Sequence, residues 1–499
     1  MRPLQEFPWS QSNFSEARKW LQECLDKHES CRQRLAMPTR VVQLLLDRGQ
    51  IRVRDTSDSP PQPYAALSYY WGAIHQNRLR ATRDTLPEMR RGVDVTRLPQ
   101  TMQDAIRVAG DLGFEYLWVD ALCIVQDDDE EKASEMARMS EVYEGATLTI
   151  SASRAAHCDG GLLHRRDLSA HYVELYELPW GDGERSPGTG TVLCSEIGYF
   201  RCESDPIDLR AWTLQEHRLS RRLLKFGSSQ LVWRCMATTQ VDGGPAELSP
   251  SSSAVSYPSP IEHPSEWKNI VERYTSRHIS TWQDRLPAIA ALAEKYRRYG
   301  LGFSGPNVYL AGLWREHLHS MLLWYIPREE QRVTCLPPAD REFVSPTWSW
   351  HLASRGVKHT GTWRMNFSLH VHAADVALVS PGAPFGMVTE GRIVAEGLLW
   401  KVSWTGSSFE WDHLGAETED VSNLKTVNPQ WDLPTNAVRE AFYLLEVGFN
   451  SHIDSTGLIV KEVASSPPTF RRVGYYEANV HLCWDGWREA TPTHTLTLI

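Results

Sequence analysis

Asp120 is the residue of this chain at which chemistry is first expected. It follows a short apolar run, Tyr116 to Val119, and an amphipathic segment stands on either side of that run. A buried strand that ends at a polar residue and is connected by helices is typical of an open α/β sheet. Ligands of such sheets bind just beyond the carboxyl ends of the strands, where Asp120 is predicted to lie. Capping of the next turn is the commoner use of such an aspartate.

Three potential metal ligands, Cys24, His28 and Cys31, recur at helical spacing near the N-terminus. Residues 14–34 have the apolar period of a helix with one buried face, and the spacing i, i+4, i+7 places all three side chains on that face. Structural zinc needs a closed tetrahedron, and the sequence offers no fourth ligand close by. We therefore interpret the face as a buried stripe with one hydrogen-bonded histidine, and predict no metal; the sequence leaves the question of metal binding open.

Other reactive side chains have structural interpretations that we prefer. Cys123 lies in an apolar run, which favours a buried, inert thiol over a nucleophile. His217 is interpreted as a surface residue of a helix. The acidic run from Asp127 to Glu131 stands at the start of a predicted helix, where its charge complements the helix dipole. A divalent-cation site in that run is the less favoured alternative.

The elements that would position these residues alternate between strand and helix. A helix is predicted to begin at Pro99 and to end at Gly113. Strands are predicted at residues 64–72, 116–119, 146–152, 223–226 and 231–235. The order of the first three strands predicts a parallel sheet with right-handed crossovers. Arg210 to Glu216 is predicted to form a further helix, with Trp212 and Glu216 one turn apart on the same face.

Composition excludes several classes of protein. The formal net charge of −10 argues against general nucleic-acid binding, which needs a basic face. No run approaches the length of uninterrupted apolar sequence that a membrane span requires. The first residues lack the apolar segment of a secretory signal, and the nine cysteines are scattered. We therefore expect reduced thiols and a cytoplasmic protein. Most of the 20 tryptophans are interpreted as core residues.

At 499 residues the chain is too long for one core. We predict an N-terminal helix with short strands packing on the core (1–63), an α/β domain (64–240), a Pro/Ser-rich linker (241–262), a helical region (263–342) and a β-rich region of short strands (343–499). Within these, Asp47–Gly49 is expected to separate two short strands, and Trp180–Gly190 is expected to be a hairpin or insertion. Tyr309–Trp324 is expected to be helical. The sequence contains no internal repeat.

Five phrases, taken together and in order, carry a resemblance to a known family. They are Tyr64-Ala-Ala-Leu-Ser-Tyr-Tyr-Trp-Gly72, Leu98-Pro-Gln-Thr-Met-Gln-Asp-Ala-Ile106, Tyr116-Leu-Trp-Val-Asp-Ala-Leu-Cys-Ile124, Tyr143-Glu-Gly-Ala-Thr-Leu-Thr-Ile150 and Arg210-Ala-Trp-Thr-Leu-Gln-Glu216. The chain thereby resembles the HET (heterokaryon incompatibility) domain of filamentous fungi. Later phrases at 284–290, 311–314 and 346–350 resemble the region that follows this domain, so the resemblance covers most of residues 14–400.

The resemblance implies a role in non-self recognition and programmed cell death when unlike fungal cells fuse. It also implies distant kinship to TIR domains, and hence a TIR-like (flavodoxin-like) parallel sheet flanked by helices, followed here by a mixed helical and β-rich C-terminal region. Some TIR domains cleave NAD at the nicotinamide–ribose bond with the glutamate of a phrase Trp-Cys-x-x-Glu. Trp212-Thr-Leu-Gln-Glu216 is similar, with threonine in place of cysteine.

Glu216 is therefore the candidate catalytic residue, and NAD is a candidate substrate, with no firm cofactor. A carboxylate suits this reaction because it can hold a ribose hydroxyl and offset charge on an oxocarbenium-like transition state. This first hypothesis, an NAD-consuming hydrolase, predicts a polar cleft that holds Glu216 near Asp120, Ser68 and Gly72. Trp212 is the fourth candidate binding residue.

Glu135 is the alternative catalytic candidate, on the helix after the Asp120 strand. The family often has a tryptophan shortly before that glutamate, and residues 132–134 of this chain are lysine, alanine and serine. This departure from the pattern lowers its rank below that of Glu216.

A second hypothesis is a non-enzymatic TIR-like module that signals by self-association or serves as a regulatory scaffold. It predicts no cleft at those positions and a surface patch capable of ordered assembly. A third is a thiol hydrolase that uses Cys123 with a histidine, which the apolar setting of Cys123 disfavours. No WD or ankyrin array is visible, so a sensor would be a separate protein.

Overall fold

The structure is a computed structural model, and the residues that it describes form a series of segments along the chain. The described residues are 5–32, 36–72, 78–167, 174–180, 188–194, 205–242, 264–299, 309–330, 332–335, 346–361, 364–411, 427–432, 440–450, 455–478 and 492–499. The chain divides into two compact units, Met1–Ser259 and Pro260–Ile499. The Pro/Ser-rich stretch 243–260, predicted to be part of a linker, lies outside the described residues.

The first unit contains helices around one large sheet. Its helices are α1 (Gln11–Lys27), α2 (Leu86–Arg91), α3 (Gln100–Asp111), α4 (Asp120–Cys123), α5 (Asp129–Ala137), α6 (Met139–Gly145) and α7 (Ala211–Leu219). Its strands are β1 (Arg40–Leu45), β2 (Gln50–Asp55), β3 (Ala65–Ser68), β4 (Val93–Asp94), β5 (Tyr116–Trp118), β6 (Leu148–Ser151), β7 (Glu174–Trp180), β8 (Gly188–Cys194), β9 (Arg222–Phe226), β10 (Leu231–Cys235) and β11 (Thr239–Val241). The antiparallel pair β1–β2 confirms the two short strands predicted around residues 47–49. The antiparallel pair β7–β8 agrees with a hairpin, the first of the two alternatives given for residues 180–190.

The sheet of the first unit is mixed. Its nine described strands follow the order β11-β10-β9-β6-β3-β5-β1-β2-β4. The four adjacent strands β9, β6, β3 and β5 are parallel, as the alternation of strands and helices predicts. The strands on both sides of these four are antiparallel, which corrects the prediction of a wholly parallel sheet. The reason is connection length, because tight turns such as the one at Gly49 join only antiparallel neighbours.

The parallel strands are covered by helices. All four residues of β3 and all four residues of β6 are buried, which is the pattern of strands covered on both faces. Helix α3 packs against β3 and β5, and α7 packs against β3. The helix predicted after Pro99 is confirmed as α3, and its apolar face buries Met102 and Ile106. The sequence periodicity therefore places the strand ends, and the residues on them, at one edge of a buried sheet.

The second unit is mainly β-structure, as predicted for the C-terminal region. Its helices are α8 (Pro264–Thr275), α9 (Pro287–Tyr299) and α10 (Leu318–Leu322). Its strands are β12 (Tyr309–Leu310), β13 (Leu313–Trp314), β14 (Trp324–Tyr325), β15 (Lys358–His359), β16 (Asn366–Phe367), β17 (His370–Leu378), β18 (Val388–Trp404), β19 (Phe409–Trp411), β20 (Val427–Trp431), β21 (Glu440–Phe449), β22 (Ser455–Ser465), β23 (Pro468–Ala478) and β24 (Thr493–Leu498). Strands β16 to β24 form its main sheet. In the described part of the chain, no helix combines the length and apolarity that a membrane span requires.

Two predictions for the second unit need correction. Residues 309–324, predicted to be helical, form the short strands β12 and β13, a 3₁₀ turn at Arg315–His317, the short helix α10 and the first residue of β14. The backbone φ angles of Ala311 and Gly312 are 47° and 103°, which an α-helix does not accommodate. The strands after residue 343 are not all short, since β18 runs for 17 residues. The interpretation of tryptophans as core residues is confirmed at Trp314 and Trp348, which are fully buried.

Candidate functional site

Glu216 lies where α7 meets the end of β3. Only 6% of its surface is exposed, and its Oε2 accepts a hydrogen bond from the Ser68 hydroxyl at 2.5 Å. Ser68 is the last residue of β3, at the carboxyl end of a parallel strand. Seven of the nine residues of α7 are buried, so this helix is enclosed by the unit and its glutamate is not simply solvated. The structure therefore brings together two of the residues predicted to share a site.

His217, the next residue of α7, contacts the same serine. Its Nε2 lies 3.3 Å from Ser68 Oγ and 2.9 Å from Oγ of Ser151, the last residue of β6. The prediction that His217 is a surface residue is wrong, because only 7% of it is exposed. Burial of α7 on more than one side explains the error, since two consecutive helical residues can then both reach the strand ends.

The order of the parallel strands places Glu216 and His217 where ligands of open α/β sheets usually bind. Counted along the chain, the four strands β3, β5, β6 and β9 have the spatial order 2-1-3-4. The first and third of them, β3 and β6, are neighbours, so the strand order reverses between them. Ligands of open α/β sheets bind at such a switch point, beyond the carboxyl ends of the strands. Ser68 and Ser151 end these two strands, so Glu216 and His217 lie at the switch point.

Asp120 lies at the same edge of the sheet, directly after β5. Its Oδ2 accepts a hydrogen bond from the Trp71 indole at 2.8 Å, and its Oδ1 accepts one from the Ala121 backbone N–H at 2.7 Å. Solvent reaches part of the residue. Burial of the carboxyl nevertheless raises the pKa of Asp120, against the lowering effects of the Trp71 bond and the charge of Arg210. The predicted place of Asp120, at the end of a buried strand, is confirmed.

Arg210 and Tyr143 complete the surroundings of Glu216, and the sequence did not single out either residue. Arg210 donates from Nη1 to the backbone carbonyl of Tyr69 at 2.6 Å, and its guanidinium lies 5.1 Å from the centre of the Tyr70 ring. The Tyr143 hydroxyl donates to the backbone carbonyl of Leu67 at 3.3 Å, and its interaction with Glu216 lowers the pKa of that carboxyl. The sequence did contain a signal for both residues, because Tyr143 and Arg210 are the first residues of two of the phrases that resemble the family.

The surroundings of Glu216 bring its titration close to neutral pH. Burial is the largest cause and, with the nearby charge of Asp120, it raises the pKa of Glu216 from 4.5 to about 7. The charge of Arg210 and the hydrogen bond from Ser68 act in the opposite direction. A carboxyl with such a pKa exchanges its proton under ordinary conditions, which is the property expected of a reactive group and unusual for a structural one.

A cleft opens beside this cluster. The described residues that line it are Tyr69, Trp71, Gly72, Arg78, Leu79, Arg80, Pro99, Met102, Ala121 and Cys158. Gly72 is the predicted binding residue among them, and Asp120 contacts the lining through its bond with Trp71. Ser68 and Glu216 are not among these lining residues. Trp212 is partly exposed on α7. Of the predicted site residues, only Gly72 is therefore among the described residues that line the cleft; Asp120 is connected to it through Trp71, and the Glu216 carboxyl is enclosed.

Gly72→Ala is expected to destabilise the first unit by about 2–4 kcal/mol. The φ of Gly72 is +74°, which costs a residue with a Cβ about 1–2 kcal/mol. An added Cβ would also lie 2.6 Å from the Cβ of His157, so the backbone would have to move. Urea denaturation measures the loss. Gly49→Ala is the matched control, because its φ is +62° and nothing lies within 4 Å of the added Cβ. Equal losses in the two variants would contradict the steric argument.

Glu135, the alternative catalytic candidate, lies at a different place. It is buried on α5, where its Oε1 accepts a hydrogen bond from the Thr39 hydroxyl at 2.5 Å and lies 3.9 Å from Arg138 Nη1. These contacts join α5 to the chain just before β1. The structure thus separates Glu135 from the cluster of Ser68, Asp120 and Glu216.

Two structural interpretations made from the sequence are confirmed. The acidic run begins α5, and its Asp128 caps the helix by accepting a hydrogen bond from the backbone N–H of Glu131. Cys123 is buried, and burial raises the pKa of its thiol to about 12. Such a thiol stays protonated at neutral pH, which makes it a poor nucleophile.

Comparison with known proteins finds a family match over the same residues that contain the five phrases. Residues 64–216 match the family model described as Heterokaryon incompatibility protein (HET). These residues form a HET domain. All the predicted catalytic and binding residues, from Ser68 to Glu216, lie within it. Strands β1, β2, β9, β10 and β11 lie outside the HET domain, although they belong to the same sheet.

One segment of the chain is also similar to a curated protein with a heterokaryon incompatibility name. The chain is 31% identical over 94 residues to the Heterokaryon incompatibility protein 6, OR allele, of Neurospora crassa. The match covers 18% of this chain and only 14% of the relative, so it concerns one segment of each protein. No solved structure matches this chain.

Proposed function

We propose that this chain acts in fungal non-self recognition and programmed cell death, and that its HET domain hydrolyses NAD with Glu216 as the catalytic carboxylate. One observation carries the chemical part of the proposal. Glu216 is a buried carboxyl with its pKa raised to about 7, at the switch point of the parallel strands, beside Ser68 and Asp120. The biological part rests on the HET domain and on the name of the Neurospora relative.

The proposed reaction breaks the bond between C1′ of the ribose and the ring nitrogen of nicotinamide. The electron pair leaves with nicotinamide, water adds to C1′, and one proton is released. Ionised Glu216 accepts a hydrogen bond from a ribose hydroxyl, and its charge stabilises the oxocarbenium-like transition state. Ser68 holds the carboxylate in position. Because only the ionised carboxylate provides this charge, the rate is expected to rise with pH through about 7.

We propose that the dinucleotide substrate binds in the cleft beside the cluster. Arg78 and Arg80 line it, and guanidinium groups suit phosphates. The Arg78 guanidinium pairs with Asp159 and donates to the Trp71 carbonyl, so a phosphate bound there would take the place of Asp159. Our proposal includes a TIR-like arrangement of the four parallel strands. Their order 2-1-3-4 corresponds to the first four strands of the flavodoxin-like order 2-1-3-4-5, which supports this part of the proposal.

A second candidate function is a non-catalytic module that signals by self-association, with sensing by a separate protein. The burial of Glu216 favours it, because the carboxyl is already hydrogen-bonded by Ser68 and is not among the described residues that line the cleft. In this function the polar cluster would only fix α7 against the sheet. NAD turnover distinguishes the two functions.

NAD consumption by the whole purified chain tests the proposal. The assay uses a high protein concentration and a crowding agent, so that assembly is favoured. The wild type is expected to release nicotinamide and ADP-ribose in equal amounts, faster above than below about pH 7. Glu216→Gln is expected to be inactive, and Glu135→Gln is the matched control that keeps activity. The catalytic proposal is overturned by turnover that survives Glu216→Gln, or by a wild type inactive under every assembling condition.

A further inference from the structure

Three thiols and one imidazole converge at the N-terminal side of the sheet. The Sγ atoms of Cys24, Cys31 and Cys235 and one ring nitrogen of His28 all lie within 4.8 Å of one another. The Cys235 Sγ and the His28 Nδ1 are 3.4 Å apart. The three cysteines are free thiols and are fully buried, while His28 is half-buried. None of these four residues belongs to the Glu216 cluster.

The fold brings the four residues together in a way that the sequence period did not predict. Helix α1 ends at Lys27, and His28 is its C-cap with extended backbone. Cys31 ends the 3₁₀ turn Glu29–Cys31, so His28 and Cys31 do not share a helical face with Cys24. This corrects the predicted continuous helix over 14–34. The fourth group, Cys235, ends β10, against which α1 packs, and is 207 residues from His28. The sequence does not indicate this fourth ligand, because Cys235 lies far along the chain from the other three residues.

The arrangement fits the coordination tetrahedron of zinc. Bonds of about 2.3 Å to sulfur and about 2.0 Å to nitrogen imply ligand atoms roughly 3.5–3.8 Å apart. The distance of 3.4 Å between the Cys235 Sγ and the His28 Nδ1 is close to this value. The other distances between the four ligand atoms are at most 4.8 Å, so each would shorten by no more than about 1 Å when zinc binds. Three sulfurs and one imidazole nitrogen in a closed tetrahedron are a ligand set typical of structural zinc.

The groups around the ligands suit thiolates. Arg222 donates from Nε to the Cys24 Sγ at 3.2 Å and from Nη2 to the Cys31 backbone carbonyl at 2.6 Å. Zinc with three thiolates and a neutral histidine has a net charge of −1, which the guanidinium of Arg222 offsets. Hydrogen bonds of this kind orient the ligands of metal sites and tune their charge.

We propose that Cys24, His28, Cys31 and Cys235 bind one structural zinc ion that fixes α1 and the following turn to β10. The role is structural because protein atoms fill all four coordination positions and leave none for substrate or water. The site lies outside the HET domain, at residues that precede and follow it, so the ion would join the two flanks of that domain. This inference does not depend on the proposed NAD hydrolysis.

Metal analysis of the whole purified chain, handled under reducing conditions without chelator, tests the proposal. The wild type is expected to hold about one zinc per chain, and Cys235→Ser to lose at least about nine-tenths of it. Cys335→Ser is the matched control, because Cys335 is also a buried free thiol and should leave the zinc content unchanged. Removal of zinc by a chelator is expected to lower the unfolding temperature of the wild type, and added zinc to restore it.

Wild-type measurements keep the proposal testable where a variant does not fold. Cobalt exchanged into the wild type is expected to give the visible absorption of a tetrahedral thiolate site. The proposal is overturned by a wild-type chain without zinc after growth in zinc-supplemented medium, or by zinc that survives Cys235→Ser. A disulfide between two of the three cysteines, detected by mass spectrometry of the protein as isolated, would overturn it as well.

Discussion

Glu216→Gln is expected to stabilise the fold by about 3 kcal/mol near pH 8, while it lowers NAD turnover about a thousandfold. Burial raises the pKa of Glu216 from 4.5 to about 7, so the native protein keeps a proton that the unfolded chain releases. Below pH 4.5 both states bind this proton. As the pH rises from 4.5 to about 7, the unfolded state binds fewer protons than the native state, and native stability falls. Glutamine does not ionise and escapes this loss.

Urea denaturation of both proteins from about pH 4 to about pH 8 measures the effect. The difference in the free energy of unfolding is expected to be near zero at the acidic end and about 3 kcal/mol at the basic end. Glu135→Gln is the matched control. It also removes a buried carboxylate, but that group accepts a hydrogen bond from Thr39 and lies near Arg138, so its loss should cost stability. A pH-independent loss of stability in Glu216→Gln would mean that the native carboxyl is ionised throughout.

The sign of this effect separates two explanations of the polar cluster. A network that only fixes α7 to the sheet should lose stability when its central carboxyl is changed, because its donors lose their acceptor. A group held for chemistry is often kept at the expense of stability, so its replacement strengthens the fold and removes the activity. Stability and turnover that change in opposite directions are therefore the specific expectation of the catalytic proposal.

The parallel part of the sheet was predictable from the sequence because its signals are local. Each of the strands β3, β5 and β6 is a short apolar run, and α3 shows a helical period. The antiparallel edges were harder to place, since the pairing of β1 with β5 and of β2 with β4 depends on contacts between distant parts of the chain. The helix expected over residues 309–324 failed at Ala311 and Gly312, where the backbone has positive φ that apolar periodicity cannot indicate.

The candidate site was predictable to the extent that its residues end strands. Ser68 ends β3, and Asp120 follows the end of β5 by two residues, as the first residue of α4. Glu216 lies one turn after Trp212 in a phrase that resembles a known one. The helix phrase does not indicate burial on several sides, so the sequence predicts a surface position for His217, which is in fact buried. Arg210 and Tyr143 act through charge and hydrogen bonding on Glu216, and those effects depend on tertiary packing. Cys235 joins Cys24 and Cys31 only because α1 packs on β10.

The HET domain, at residues 64–216, is not the whole folding unit. Strand β9 extends the parallel sheet next to β6, and β1 pairs with β5 on the other side. Without these flanks, both outer strands of the matched segment would expose unpaired backbone hydrogen-bonding groups. The flanks are also joined to each other, since α1 from before the domain packs on β10 from after it.

Asp242→Ala is expected to cost about 3–5 kcal/mol of folding stability. The Asp242 carboxylate lies 2.8 Å from Arg166 Nη1, and both side chains are buried. It also accepts hydrogen bonds from the Asn13 amide at 2.9 Å and from the Leu231 backbone N–H at 2.7 Å. Alanine would leave the Arg166 charge buried without its partner and would detach α1 from β10 at this point. Urea denaturation at neutral pH measures the loss.

Asp55→Ala is the matched control for this prediction. Asp55 pairs with Arg90 at 2.9 Å, a similar distance, but nearly half of each side chain is exposed. Water replaces a lost partner at such a site, so only a small loss is expected. Arg166→Met combined with Asp242→Ala should cost less than the sum of the two single losses, because no charge is then left unpaired. Equal losses for Asp242→Ala and Asp55→Ala would mean that water reaches Arg166 in the variant. The attachment of α1 to the sheet would then depend on apolar packing and on the cysteine–histidine cluster.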